Sequence, residues 1–161
     1  MKKGVSLIEI LIVVAIFAVL GILISRVILT TLMGSSRSDN LVKVRDNIDY
    51  TLSVMERQIR NAESVSPCPN PDTTRIDFRD SNGIAAFFAC TNVGASGYVA
   101  SGSARLTNDE VAITACSLVC TAASGRVPPA VDISLEARGA NQTGVERAMV
   151  TAVTKIFLRT Y

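Results

Sequence analysis

Histidine is absent from this 161-residue chain, which removes the commonest catalytic base and a leading metal ligand at once. Neither a Ser-His-Asp nor a Cys-His site can be assembled, and a His-ligated metal centre is excluded. No G-x-x-x-x-G-K-[ST] loop occurs, so nucleotide hydrolysis through that phosphate cradle is excluded as well. Cysteine is scarce. Cys68, Cys90, Cys116 and Cys120 are separated by 21, 25 and 3 residues, a spacing without the paired short C-x-x-C knuckles of a zinc site. An excess of positive charge is missing too: 16 Lys and Arg face 14 Asp and Glu, a net charge of +2, and Lys2 and Lys3 account for that difference. A general electrostatic affinity for nucleic acid depends on clustered basic residues and is not expected here, although a local basic strip is left open. The close acidic pairs beside turn residues are Asp109-Glu110 and Asp77 with Asp80. A solvated surface explains both more simply than the carboxylate pair of a glycosidase. The expectation is a non-enzyme with no catalytic residue, no metal and no cofactor.

What the chain does have is an apolar run from Val5 to Ser25 whose only charge is Glu9. As a helix the run spans about 32 Å at 1.5 Å per residue, enough for a bilayer core of about 30 Å. A carboxylate in that medium costs about 2.5–3.5 kcal/mol at the helix centre and less towards an end, so it is seldom kept without a partner. A conventional secretory signal would have a shorter apolar region and a small-residue cut site after it; here Arg26 and a helical pattern follow. A buried core helix is disfavoured because the run is apolar all round. A plain anchor explains the length but neither Glu9 nor the Gly4 before the run.

Lys2-Lys3-Gly4 followed by Val5-Ser6-Leu7-Ile8-Glu9-Ile10 and a long apolar helix resembles the N-terminus of type IV pilins and type II secretion pseudopilins. The resemblance implies a leader, residues 1–4, cut after Gly4 by a prepilin peptidase, and N-methylation of the new terminus at Val5. It further implies that Glu9 serves assembly by pairing with the Val5 amine of a neighbouring subunit, the other partners being pilin or pseudopilin subunits and an inner-membrane assembly platform. The family usually presents Phe or Met where this chain has Val5; the peptidase depends mainly on the Gly. A Lys-rich flank stays cytoplasmic, so the expected location is the inner (cytoplasmic) membrane, crossed once with the C-terminal head outside the cytoplasm, and then a pilus or pseudopilus.

Downstream, Leu41, Val44, Ile48, Leu52, Met55, Ile59 and Ala62 recur at gaps of three and four, one apolar stripe on a helix. Arg45 with Asp49 and Glu56 with Arg60 flank it at i,i+4 spacing. The stripe predicts packing on the head's own sheet, with the helix ending near Ser64 ahead of Pro67. Gly34 to Asn40 is polar and reads as a soft point in one helix from Val5 to Ser64, whose lower half would project from the head. After Pro67, Thr74–Arg79 and Ile84–Ala89 bracket Asn82-Gly83, a strong hairpin signal. Arg75, Asp77 and Arg79 fall on one strand face. Weaker strands are read at 97–100, 110–115 and 131–137, and residues 147–159 read as the closing strand, with Ala148, Val150, Ala152, Thr154, Ile156 and Leu158 on one side. A helix laid across an antiparallel sheet of four to six strands is an α+β arrangement, and it is also the pilin fold. The expected segments are a leader (1–4), a transmembrane and filament-core helix (5–30), an amphipathic helix continuing into the head (31–65) and a β-rich head (66–161). In an exported head the four Cys sit where disulfides persist. Three pairings are possible; Cys68 with Cys90, flanking the hairpin, and Cys116 with Cys120 by elimination are preferred, with free thiols and zinc as alternatives.

Two features bear on subtype. Major pilins usually carry Pro where this chain has Arg26, and Met55 to Ala62 looks like the corresponding stretch of J-type pseudopilins and PilW-like minor pilins. The expected role is a minor subunit of a type IV pilus or type II secretion-like filament; the alternatives are a major pilin and a membrane-anchored exported binding module that never polymerises.

Overall fold

The computed structural model of the protein describes residues 7–140 and 149–158. They fall into two compact units that divide between Ser38 and Asp39, inside the polar stretch read as a soft point. Helix α1, Leu7–Arg60, is hydrogen-bonded through that stretch without a break. Gly34 costs only about 1 kcal/mol against Ala in a helix, too little to interrupt one.

In the second unit the stripe is buried as its periodicity predicts. Val44, Ile48, Met55 and Ile59 are inaccessible or nearly so, Leu52 is packed against the same cluster, and Ala62 closes the row. Thr51 is also buried; its hydroxyl donates to the Asn47 carbonyl at 2.8 Å. The helix ends at Arg60, earlier than expected. Ala62 N donates to Ile59 O in a tightened last turn, and Glu63 N turns away to Arg79 O at 2.9 Å. The chain thus leaves the helix by entering a sheet, as the short strand β1, Ser64–Val65, before any Pro is reached.

Instead of one sheet there are two, both antiparallel. The first has the order β1-β2-β3-β4-β5, with β2 Arg75–Arg79, β3 Ala85–Thr91, β4 Tyr98–Ser101 and β5 Ala104–Arg105. The second is β6-β7-β8, with β6 Val111–Thr121, β7 Ala130–Gly139 and β8 Met149–Phe157. The β2–β3 hairpin forms where Asn82-Gly83 signalled it: Asp80 N bonds Ile84 O at 2.9 Å, and Gly83 takes a φ of 75° that a side chain would resist. Strand β6 runs on past the expected Ala115 because its second half pairs with β7 as far as Thr121↔Ala130. Its other edge meets backbone from loops, not a strand: Ile113 N donates to Gly97 O at 2.9 Å and Leu118 N to Thr73 O at 2.6 Å. That substitution of loop for strand breaks the ladder into two sheets. Gly97 is required there, since a Cβ on it would stand 2.1 Å from the Ile113 carbonyl oxygen. On β8, Val150, Ala152, Thr154, Ile156 and Leu158 form the more buried side as read from the alternation; Arg147, Ala148 and Arg159 lie outside the described residues.

The core lies between α1 and the inner faces of both sheets. Ile76, Phe78, Phe88 and Val99 come from the first, and Ile113, Leu118, Ile133, Leu135 and Ile156 from the second. The Phe78 and Phe88 rings stack with centroids 5.2 Å apart.

The cysteine pairing differs from the expected one. Cys68 is bonded to Cys120 and Cys90 to Cys116, with Cα separations of 5.2 and 6.4 Å. Cys116 and Cys120 share strand β6, where four residues span about 13 Å, beyond the Cα reach of a disulfide. Cys90 N donates to Thr74 O at 2.8 Å, which sets Cys90 beside Thr74 and not beside Cys68. The Cys90–Cys116 bridge ties β3 of the first sheet to β6 of the second, and Cys68–Cys120 ties the segment after β1 to β6. Closing loops of 52 and 26 residues, they stabilise by about 3–4 kcal/mol each in the chain-entropy picture.

Asn70, between Pro69 and Pro71, joins the same region. Its amide donates to Leu118 O at 2.7 Å and Arg75 O at 3.0 Å, and its oxygen accepts from Cys120 N at 2.7 Å. Asn70→Ala leaves these groups without their partner and is expected to cost about 1–3 kcal/mol, read as a shift in denaturation midpoint of the detergent-solubilised chain. Non-reducing peptide mapping is expected to recover Cys68 linked to Cys120 and Cys90 linked to Cys116; recovery of Cys116 linked to Cys120 contradicts this sheet arrangement.

Candidate assembly site

From Leu7 to Met33 every described side chain of α1 is exposed, including Leu7, Ile8, Phe17, Leu20, Ile24 and Leu29. The stretch is long and apolar enough to cross a membrane by length and composition. Its hydroxyls are satisfied within the helix: Ser25 donates to Gly21 O, Thr30 to Arg26 O and Thr31 to Val27 O, at 2.8, 2.8 and 2.9 Å. Such back-bonding lets hydroxyls sit in hydrocarbon without an orphaned donor. Glu9 has no such recourse. A carboxylate only accepts hydrogen bonds, and no described residue donates to it. It stands on the first described turn with Ile12 and Val13, three and four residues on, covering the same face. Gly4 and Val5 lie outside the described residues.

The head carries two further candidate surfaces. On the outer face of the first sheet, Arg75, Ala89, Ala100 and Arg105 form one cross-strand row. The Arg75 guanidinium lies 3.8 Å over the Phe87 ring and that of Arg105 4.9 Å over Tyr98, around a shallow space of about 540 Å³. Both cations are engaged by carboxylates, Arg75 by Asp77 at 2.7 Å and Arg105 by Asp109. The Asp77 carboxylate, which accepts hydrogen bonds from the Arg75 guanidinium, pushes the pKa of Arg75 further up from its ordinary value. The alternating row Arg75-Asp77-Arg79 is thus an exposed, internally paired face, with Arg79 donating to Gly83 O at 2.9 Å.

The acidic pairs singled out in the sequence do not converge. Asp77 is held by Arg75, while Asp80 accepts from Asn82 N and Ile84 N at 2.8 and 2.9 Å and so builds the hairpin turn. Asp109 binds Arg105, and Glu110 N donates to Asn108. Asp72, not singled out, accepts from the Thr74 amide and hydroxyl at 2.7 Å each, which lowers its pKa from the ordinary carboxylate value. Among the described residues no cluster of acidic or Cys side chains could hold a metal ion. The second surface is an open groove of about 590 Å³ between α1 and strand β8, lined by Leu41, Arg45, Asp49 and Leu52 on the helix and by residues 149–154 on the strand. Sequence periodicity placed Leu41 and Leu52 of one wall and Val150, Ala152 and Thr154 of the other on inward faces but carried no sign that they stand apart.

Residues 1–25 match the family described as the prokaryotic N-terminal methylation motif. No curated protein and no solved structure matches the chain. The matched segment contains Gly4, Val5 and Glu9 together, and it supports the type IV pilin and pseudopilin superfamily. The long apolar helix followed by antiparallel sheets is the α+β, pilin-like architecture.

Proposed function

We propose that this chain, whose first 25 residues carry the methylation motif, is a structural subunit of a type IV pilus or type II secretion-like filament, without catalytic activity of its own. The observation that carries the reading is Glu9, an acceptor without a described donor on an exposed apolar helix, five residues from the Gly4–Val5 junction inclusive of Val5. Cleavage after Gly4 removes Lys2 and Lys3 and creates an α-amine at Val5. The amine of one subunit and the Glu9 carboxylate of its neighbour then form an ion pair in a low-dielectric core. Breaking a buried pair by removing one member costs about 3–5 kcal/mol, because the other is left uncompensated. Around the pair, the side chains from Leu7 to Leu23 exchange lipid contacts for helix contacts. Ala15, Ala18, Gly21 and Ser25, three to four residues apart, let neighbouring backbones approach. The energy for extraction from the membrane comes from separate machinery, as the resemblance implies.

Within that class we place the chain among minor subunits. Arg26 stands where major pilins carry Pro, and the stretch from Met55 to Ala62 looks like that of J-type pseudopilins and PilW-like minor pilins. In the inner membrane the head lies on the exported side, where its disulfides persist.

Intact-mass measurement of the protein from its host is expected to show a chain that begins at Val5, with a methyl group added, and an uncut precursor when Gly4 is replaced by a bulky residue. A mature chain with any other first residue contradicts the reading. Glu9→Ala is expected to be cut normally but to be strongly depleted from sheared filament fractions. Wild-type recovery of that variant in filaments contradicts the role given to Glu9.

A further inference from the structure

Strand β8 ends its sheet, and among the described residues nothing pairs with its outer edge. One bond fixes which backbone groups face outward. Leu158 N donates to Pro129 O at 2.9 Å, and the pairing continues as Ala130↔Phe157 and Val131↔Ile156. Bonded and non-bonded pairs alternate along an antiparallel ladder. Val150, Ala152, Thr154 and Ile156 therefore bond to β7, whereas Met149, Thr151, Val153, Lys155 and Phe157 turn their N–H and C=O groups to the open side. Exposed edges are ordinarily blunted by shortness, Pro, bulges or inward charge. β8 is 9 residues long, contains no Pro and pairs with β7 without a bulge. Its one charge, Lys155, is turned to Asp132 at 3.2 Å. On one side of the edge Met149, Val153 and Phe157 stand 52, 71 and 54% exposed. On the other side lies the 590 Å³ groove, with Leu41, Leu52, Val150 and Ala152 among its walls. An unpaired ladder with an apolar row on one face and open space on the other has the form of a site for one more strand.

Among the described residues a second copy of the chain offers no open edge long enough except β8 itself. Strands β1 and β5 are 2 residues each, and the outer edge of β6 is taken up by Gly97, Thr73 and Asn70. The remaining choice, β8 against β8 of another copy, requires a two-fold axis perpendicular to the sheet. That axis turns the α1 stretches packed on the two sheets head to tail, whereas subunits drawn from one membrane keep one polarity. We infer that the open edge of β8 receives a strand from a different chain of the same filament. That strand is an extended segment of about nine residues with apolar side chains at alternate positions, bound by strand addition. Its main chain completes the ladder and its apolar residues meet Met149, Val153 and Phe157. This inference rests on the filament-subunit reading above.

Hydrogen exchange of the full-length chain, resolved by residue in detergent and in filaments, tests it. The amides of Met149, Thr151, Val153, Lys155 and Phe157 are expected to exchange fast in detergent and at least about tenfold slower in filaments, and those of Val150, Ala152, Thr154 and Ile156 slowly in both. Val153→Pro removes an outward N–H and no hydrogen bond to β7. It is expected to form both disulfides yet enter filaments about tenfold less than wild type, whereas Val153→Thr enters normally. Unchanged exchange of the outward amides in filaments that contain the wild-type chain overturns this inference alone. So does normal entry of Val153→Pro. If Val153→Pro fails to form its disulfides, the exchange measurement decides. A disulfide-linked homodimer of Val153→Cys in filaments overturns the assignment to a different chain. Absence of the wild-type chain from every filament fraction overturns the filament reading, and this one with it.

Discussion

A single line of side chains on α1 holds the head together. Val44, Ile48, Met55 and Ile59 lie in one buried cluster to which the inner faces of β2, β3, β4, β6, β7 and β8 all contribute. A sheet with one apolar face must bury it on something, and here two small sheets bury theirs on one helix. The two disulfides complete the arrangement by tying β3 and the segment after β1 to β6, not to the helix. A small head that lacks tryptophan and has few aromatics gains from such staples what a larger core would supply. The same helix, continued toward its N-terminus, changes from one apolar stripe to apolar on every side. Its sequence therefore specifies two environments along a single hydrogen-bonded element.

That division explains why Glu9 stands out. In the head, polar groups on buried or half-buried positions find partners, as Thr51, Asn70 and Thr107 do. In the apolar segment the hydroxyls satisfy themselves on the preceding turn. Between Leu7 and Ser25 the one charge is Glu9, and no described residue answers it. Under the proposed function, the partner is made by cleavage and supplied by a neighbour, which couples maturation to assembly at one site. The coupling needs no conformational change in the head.

The helix was legible in the sequence because its signals are local. The Leu41 to Ala62 spacing repeats the helical period, and an apolar run long enough for a bilayer needs no tertiary context. The Asn82-Gly83 turn was legible for the same reason, since a backbone with positive φ demands those residues. What escaped was non-local. The break into two sheets follows from loop backbone at Gly97 and Thr73 meeting β6, and the cysteine pairing follows from which strands that break brings face to face. Cys116 and Cys120 are neighbours in sequence and are too far apart along a strand to bond. Of the candidate site, Gly4, Val5 and Glu9 were legible as a motif. The open edge of β8 was not, because its alternation is the same whether a strand is central or at a rim.

The claim on which the rest turns is that Glu9 of one subunit meets the Val5 amine of another. Filaments grown from a mixture of subunits, half labelled with nitrogen-15 and half with carbon-13, allow solid-state magnetic resonance to detect contacts between subunits only. The expected result is a correlation between the Val5 amine nitrogen and the Glu9 carboxyl carbon, at the separation of an ion pair, within about 4 Å. Filaments that contain the chain in both labels but give no such intersubunit correlation would contradict it.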